Sequence, residues 1–325
     1  MNYKYLLSCL LVFTFFVTAC SNFTPGPEKI IQFEIEEQGI AENQKENTIN
    51  NVQNRLIALG ANDVKIVVQD QQKITYSYRG NIKPEILKKS FSIVGKLEFF
   101  EVCKEQEILY KYFYDLDEAK KSDTLKVALN ADVETELMTY FTGFLTVIRM
   151  NNPSFSHYSE FGFVDADDKK KIAPLLDSEP VLIPGLKKRV KFLLGKSDKK
   201  NESSIYALYV TSTGKAPLDG SYVTHADAEY GRYGDGRCVI SIQMDTDGGY
   251  IWERLTEKVY QERGNIAVVI DDLVHIAPTV SAGKIIGGMT EISGDFTKEE
   301  AEMLSSAIQS GTIPKMKILK MATVE

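Results

Sequence analysis

The scarce reactive groups of this chain are three histidines, His157, His225 and His275, and four cysteines, of which Cys103 and Cys238 lie far from the N-terminus. Nucleophilic catalysis needs a base within reach of the nucleophile, and metal binding needs ligands at set spacings. No HExxH, GxSxG or CxxC stands in the sequence, so the histidines are assigned surface or structural roles. Asp235, Asp245 and Asp247 stand among glycines, but the closing Glu of a calcium loop is missing, and they read as turn and cap residues. The chain therefore reads as non-enzymatic, with no cofactor and no metal. A different chemistry is open to its aromatics. Tyr222, Tyr230 and Tyr233 precede a helix that Tyr250 and Trp252 open, and their large amphipathic area suits either a polypeptide-binding surface or core packing. Cys103 and Cys238 sit beside strand-like runs and read as buried free thiols, although an oxidising compartment would also allow them to pair.

That compartment is indicated by the start of the chain. Lys4 precedes an apolar run from Leu6 to Val17, which ends in Val17-Thr18-Ala19-Cys20. A charged start, a short apolar core and small residues before the cut describe a secretory leader, and the Cys after Thr-Ala makes it a lipoprotein leader. Residues 1–19 are expected to be removed and Cys20 to carry acyl chains, which hold the body to a membrane by roughly 0.8 kcal/mol per buried CH₂. The protein is thus expected to face the periplasm from the outer or inner membrane, with residues 20–29 as a Pro- and Gly-containing tether. A net charge of −7 over 325 residues argues against a nucleic-acid partner. The later apolar stretch Leu137–Met150 is too short to span a bilayer and reads as a buried helix.

The elements that must position these residues fall into three parts. Over 30–103 the order is β-α-β-β-α-β: Ile49, Val52, Leu56 and Leu59 give the first helix one apolar face, Pro84 opens the second, and Leu97–Val102 reads as a closing strand. This predicts a ferredoxin-like layer of two helices on an antiparallel sheet. Residues 104–204 show weak periodicity and charge clusters at Asp165–Lys171 and Lys187–Lys191, and read as a mostly helical insertion with solvated charged faces. Residues 205–325 hold strands at Val239–Met244, Ile266–Ile270, Val274–Ala277 and Met289–Ile292, a helix over Gly249–Glu262, and a last helix opened by the capping box Thr297–Glu300. The last helix and strand are expected to return to the base. The fold class is α+β: a ferredoxin-like base with an inserted α+β head.

Within that frame, Val268-Val269-Ile270-Asp271-Asp272, Ile276-Ala277-Pro278, Gly287-Gly288, the run Ile292 to Ala301 and Gly311-Thr312-Ile313-Pro314 stand in the order found in the first periplasmic domain of SecD. Asn54 to Gly60 resembles the same domain's first helix and Val94 to Phe100 its GKLEF strand, while Ala216 to Gly220 with Val223, Thr224 and Ala226 resembles the fused SecDF form. The resemblance runs from about Ile30 to Lys320. Asp272 departs from it, standing where the family has Gly, and is expected to alter the hairpin turn. The resemblance implies a non-enzymatic module whose partners are exported polypeptides or Sec translocon components. In the family this domain is followed by membrane helices that couple proton movement to pulling; this sequence ends at Glu325 without them, so the expectation is a holding role rather than a motor. The alternative is a structural or small-ligand-binding lipoprotein that reuses the fold.

Overall fold

Ile31, Phe33 and Ile35 are buried while their neighbours are only half-covered, so a strand through them has one apolar side, and the base is built on it. The computed structural model describes residues 27–36, 41–68, 72–121, 149–150, 159–198, 201–231 and 237–324. The strands are β1 (Glu28–Ile35), β2 (Asn62–Val68), β3 (Lys73–Arg79), β4 (Leu97–Val102), β5 (Arg149–Met150), β6 (Gly162–Asp165), β7 (Val190–Ser197), β8 (Glu202–Tyr209), β9 (Leu218–Asp219), β10 (Val223–Tyr230), β11 (Cys238–Met244), β12 (Ile266–Ile270), β13 (Leu273–Ile276), β14 (Met289–Ser293) and β15 (Met316–Thr323). The α-helices are α1 (Glu42–Ala58), α2 (Pro84–Ser92), α3 (Gln106–Lys121), α4 (Ala173–Leu176), α5 (Thr246–Gln261) and α6 (Lys298–Ser310).

The base is a four-stranded antiparallel sheet in the order β15-β1-β3-β2. Val52 and Leu56 of α1 and Leu87 and Phe91 of α2 close its core over Ile31, Phe33, Ile74 and Tyr76. The ring of Phe33 meets those of Phe91 and Tyr76 at 4.6 and 5.9 Å between centroids. The strand that completes this sheet is β15. Leu97–Val102 does not close it, because the strand is buried on both faces and a sheet with one solvated side has no place for it.

β4 instead enters a second, eight-stranded sheet, where its pairing with β8 closes a ring of β4, β12, β13, β7 and β8. Phe100, Val102, Leu193, Leu208, Ala267 and Val269 fill the inside of this small barrel. The alternate residues Leu97, Phe99, Val268 and Ile270 face outward onto α5 and a three-stranded sheet ordered β10-β11-β14. On another side, Phe192, Ile205 and Ala207 pack against Phe113 of α3 and Phe161.

Among the described residues of 104–204, the helices α3 and α4 stand beside the strands β5, β6 and β7 and the start of β8, and residues 122–148 and 151–158 lie outside the described residues. From Ile205 on, β8 is buried on both sides and shows no alternation to read. The lysine cluster preceding it is not only a solvated face, since Lys188 reaches Glu101 at 2.8 Å and Lys191 reaches Asp272 at 3.3 Å. The expected helix at Leu137–Met150 falls outside the described residues except for the strand residues Arg149 and Met150.

Arg55 of α1 has no exposed surface. Its guanidinium donates to Ser90 O (3.2 Å), Ile93 O, Val94 O (3.2 Å), Ala307 O (3.3 Å) and Gly311 O (3.1 Å), and to Ser310 Oγ (3.0 Å). These carbonyls cluster where α2 and α6 end and leave acceptors without intrahelical donors. Burial lowers the Arg55 pKa to about 10, which leaves it charged at neutral pH. Gly95 is required beside it: its φ is +86°, and a Cβ there would lie 2.7 Å from Ala307 O.

Candidate functional site

Of the aromatics singled out in the sequence, the four that are described do not share one surface. Trp252 is 4% exposed and packs its ring 5.0 Å from that of Phe99. It gets there because Asp245 caps α5, accepting from Gly248 N at 2.7 Å, which starts the helix at Thr246, earlier than Gly249, and turns Trp252, Leu255 and Val259 to the core. Tyr222 is half-buried against the same core. Tyr230 lies at the other end of β10, seven residues beyond Val223, a separation of roughly 23 Å along a strand. Tyr233 and Cys20 fall outside the described residues.

Trp252 borders an apolar cavity of about 210 Å³, lined also by Val268, Ile276, Val280, Ile285 and Ile292. The segment over it is tied down: Ile285 N donates to Thr256 Oγ1 at 3.0 Å, and Lys284 pairs with Glu253 at 2.7 Å. The Trp252 indole N–H is buried without a hydrogen-bond acceptor. Just outside, a Cβ on Gly288 would lie 3.1 Å from Gly249 Cα, and its φ is +68°, so the close approach of these two segments calls for glycine at 288. Their neighbours Tyr250, Ile286 and Met289 are 64%, 66% and 61% exposed, which makes an apolar tip at the start of α5 that composition alone did not single out beyond Tyr250.

Around Tyr230 a second feature forms. Lys298 Nζ lies 4.7 Å from the centre of its ring, and burial with the adjoining Glu302 raises the phenol pKa. β10, α6 and the ends of α1 and α2 enclose a groove of about 680 Å³ there. Sequence reasoning missed it, because its residues come from four distant segments.

The remaining reactive groups are placed as follows. Cys103 and Cys238 are both buried and free, and burial pushes the Cys103 thiol up to about 12, which keeps it protonated. His225 is exposed on β10, and His157 lies outside the described residues. The His275 ring is 5.9 Å from that of Phe296, and burial followed by the nearby Lys196 lowers its pKa. Among the described residues no group of His, Cys, Asp or Glu is placed to hold a metal ion, and no helix is long and apolar enough to cross a membrane. Asp271 and Asp272, both at positive φ (53° and 59°), keep the hairpin a two-residue turn despite the missing glycine, as the short polar side chain of Asp allows.

Residues 194–315 match the family model of the SecDF P1 head subdomain. Over 288 residues the chain is 25% identical to the protein translocase subunit SecD of Rhodothermus marinus, covering 84% of this chain and 45% of that protein. Over 101 residues it is 33% identical to SecD of Endomicrobium trichonymphae, covering 31% of this chain and 20% of that one. A solved SecDF in its super-membrane-facing form aligns with 97% of this chain and 33% of its own length at a TM-score of 0.53 and 17% identity. A second, from SecDF described as a membrane component that enhances protein export, aligns over 91% of this chain and all of its own length at a TM-score of 0.51 and 16% identity. The fold is therefore that of SecDF periplasmic domains, and the chain spans from a fifth to under a half of the length of these SecD relatives.

Proposed function

We propose that this chain is a non-enzymatic module that assists protein translocation by holding exported polypeptides at a membrane face. The observation that carries this reading is that the segment similar to the SecDF P1 head, 194–315, contains both the apolar tip of Tyr250, Ile286 and Met289 and the cavity beside Trp252. Exposed apolar side chains on a rigid scaffold bind an unfolded chain through area and need no chemical step. Acyl chains on Cys20 anchor the module, which raises its concentration near emerging chains. Partners of this kind are exported polypeptides and components of the Sec translocon.

The full chain, titrated with a fluorescent unfolded apolar polypeptide, should bind without nucleotide or proton gradient. Cross-linking in cells should recover Sec components or many clients, and replacing Cys20 by Ala should release the protein from the membrane and weaken recovery. Absence of binding together with recovery of one stable partner would reject the holding role. The second reading, a small-ligand lipoprotein, draws on the 210 Å³ apolar cavity with its unpaired indole N–H. Tight, stoichiometric binding of a small apolar molecule with no affinity for polypeptide would favour it.

A further inference from the structure

β10 is an edge strand, since its sheet runs β10-β11-β14. Ala226 shows which way its backbone points. The Ala226 N–H donates to Gln309 Oε1 at 2.6 Å, away from β11, and Gln309 Nε2 returns toward Thr224 O at 3.4 Å. At the far end Gly231 N–H donates to Arg237 O at 3.1 Å, toward the β11 side. The register between these points is unbroken from His225 to Tyr230. In an antiparallel pair, alternate residues turn both N–H and C=O to opposite sides, so Ala228 and Tyr230, in phase with Ala226, turn theirs outward. The Gln309 amide therefore stands where a neighbouring strand's peptide group would stand, and it does so for one position only.

The groove of about 680 Å³ runs along this edge. Leu59, Ile86 and Met303 supply apolar patches on its walls. Its charged lining is Asp227, Glu299 and Glu302, with no lysine or arginine among the lining residues. From outside the groove Lys89 pairs with Glu299 at 2.8 Å, whereas Lys298 reaches Glu302 only at 3.9 Å, so a negative surplus remains. Ser306 Oγ, also on this wall, is buried without a hydrogen-bond partner.

We infer that an extended polypeptide segment with basic and apolar residues in alternation adds to β10 as its outer neighbour, its backbone bonding Ala228 and Tyr230 next to Gln309. Main-chain bonds to a strand edge give affinity without sequence selection, and the carboxylates select basic side chains. This inference rests on the reading that the chain holds polypeptides, and it names where and how.

The test uses the full chain and a fluorescein-labelled decapeptide of alternating Lys and Val. That peptide should bind, and its Glu-for-Lys counterpart should bind about tenfold more weakly. Methylating alternate backbone nitrogens of the peptide on the bonding side should also cost about tenfold, as should Ala228→Pro, each removing hydrogen bonds at the edge. Melting of the Ala228→Pro protein at the wild-type temperature confirms that it is folded, and the N-methylated peptide tests the same bonds without altering the protein. Equal affinity for methylated and unmethylated peptides, or for wild-type and Ala228→Pro proteins, overturns the inference while unfolded-protein binding keeps the holding role. Failure to bind either the peptide or an unfolded protein overturns both.

Discussion

Arg55 and Asp271 grip the same short peptide from its two sides. Arg55, on a helix of the base, donates to the carbonyls of Ile93 and Val94, while the Asp271 carboxylate, in a turn of the barrel, accepts from the amides of Val94 (2.8 Å), Gly95 (2.9 Å) and Lys96 (2.9 Å). The peptide joins α2 to β4, so this one backbone segment is held from the base by Arg55 and from the barrel by Asp271.

Arg55→Ala should therefore lower unfolding stability by about 3 kcal/mol or more, because several buried carbonyls lose their donor at once. Arg55→Lys should recover only part of this, since an ammonium has three donors and no planar fork. Urea unfolding monitored by tryptophan fluorescence measures both, and an alanine variant within about 1 kcal/mol of wild type would contradict this account.

Acid should erode stability in an interval set by His275. Its native pKa lies below the ordinary 6.5, through burial and Lys196, with Asp271 and Glu300 opposing. The unfolded chain therefore takes up the proton first, so stability is full above 6.5, falls as pH drops below it, and levels off beneath the native value. His275→Phe should flatten the dependence of melting temperature on pH in that interval; an unchanged slope would show that another group is responsible.

Trp252 and Tyr250 should separate cleanly. Trp252→Ala empties core volume and should cost about 3–5 kcal/mol, so any loss of polypeptide binding in it reports folding. Tyr250→Ser, at an exposed site, should leave the urea midpoint nearly unchanged and weaken binding of an unfolded apolar polypeptide. Equal binding by Tyr250→Ser and wild type would remove the apolar tip from the holding surface.

Cys103 should resist iodoacetamide in the folded protein at neutral pH and become alkylated in urea, since burial both hides the thiol and pushes its pKa up to about 12. Mass spectrometry of the modified peptide reads this directly, and rapid native labelling would mean that the strand end opens.

What the sequence disclosed follows from how each element is buried. α1, β1 and the Thr297 capping box carry one-sided patterns or local bonds, so Val52, Leu56 and Glu300 stand where periodicity places them. β4, and β8 from Ile205 on, are covered on both sides, and their lack of alternation hid the barrel. Trp252 and Tyr250 are two residues apart and looked like one surface, but the register of α5 buries the first and exposes the second. The β10 groove was out of reach for another reason: nothing along the chain relates Gln309 to Ala226, which only the tertiary fold brings to hydrogen-bonding distance.

The pairing of β1 with β15 sets the order in which the molecule can be assembled. Glu28–Ile35 comes near the start of the chain and its partner Met316–Thr323 near the end, and contacts of such separation form slowly because a long loop must close first. If the chain crosses a membrane N-terminus first, one edge of β1 stays open until the chain has emerged as far as Met316–Thr323. The barrel, whose strands lie within 97–276, can close earlier, so the base is the last part to become complete.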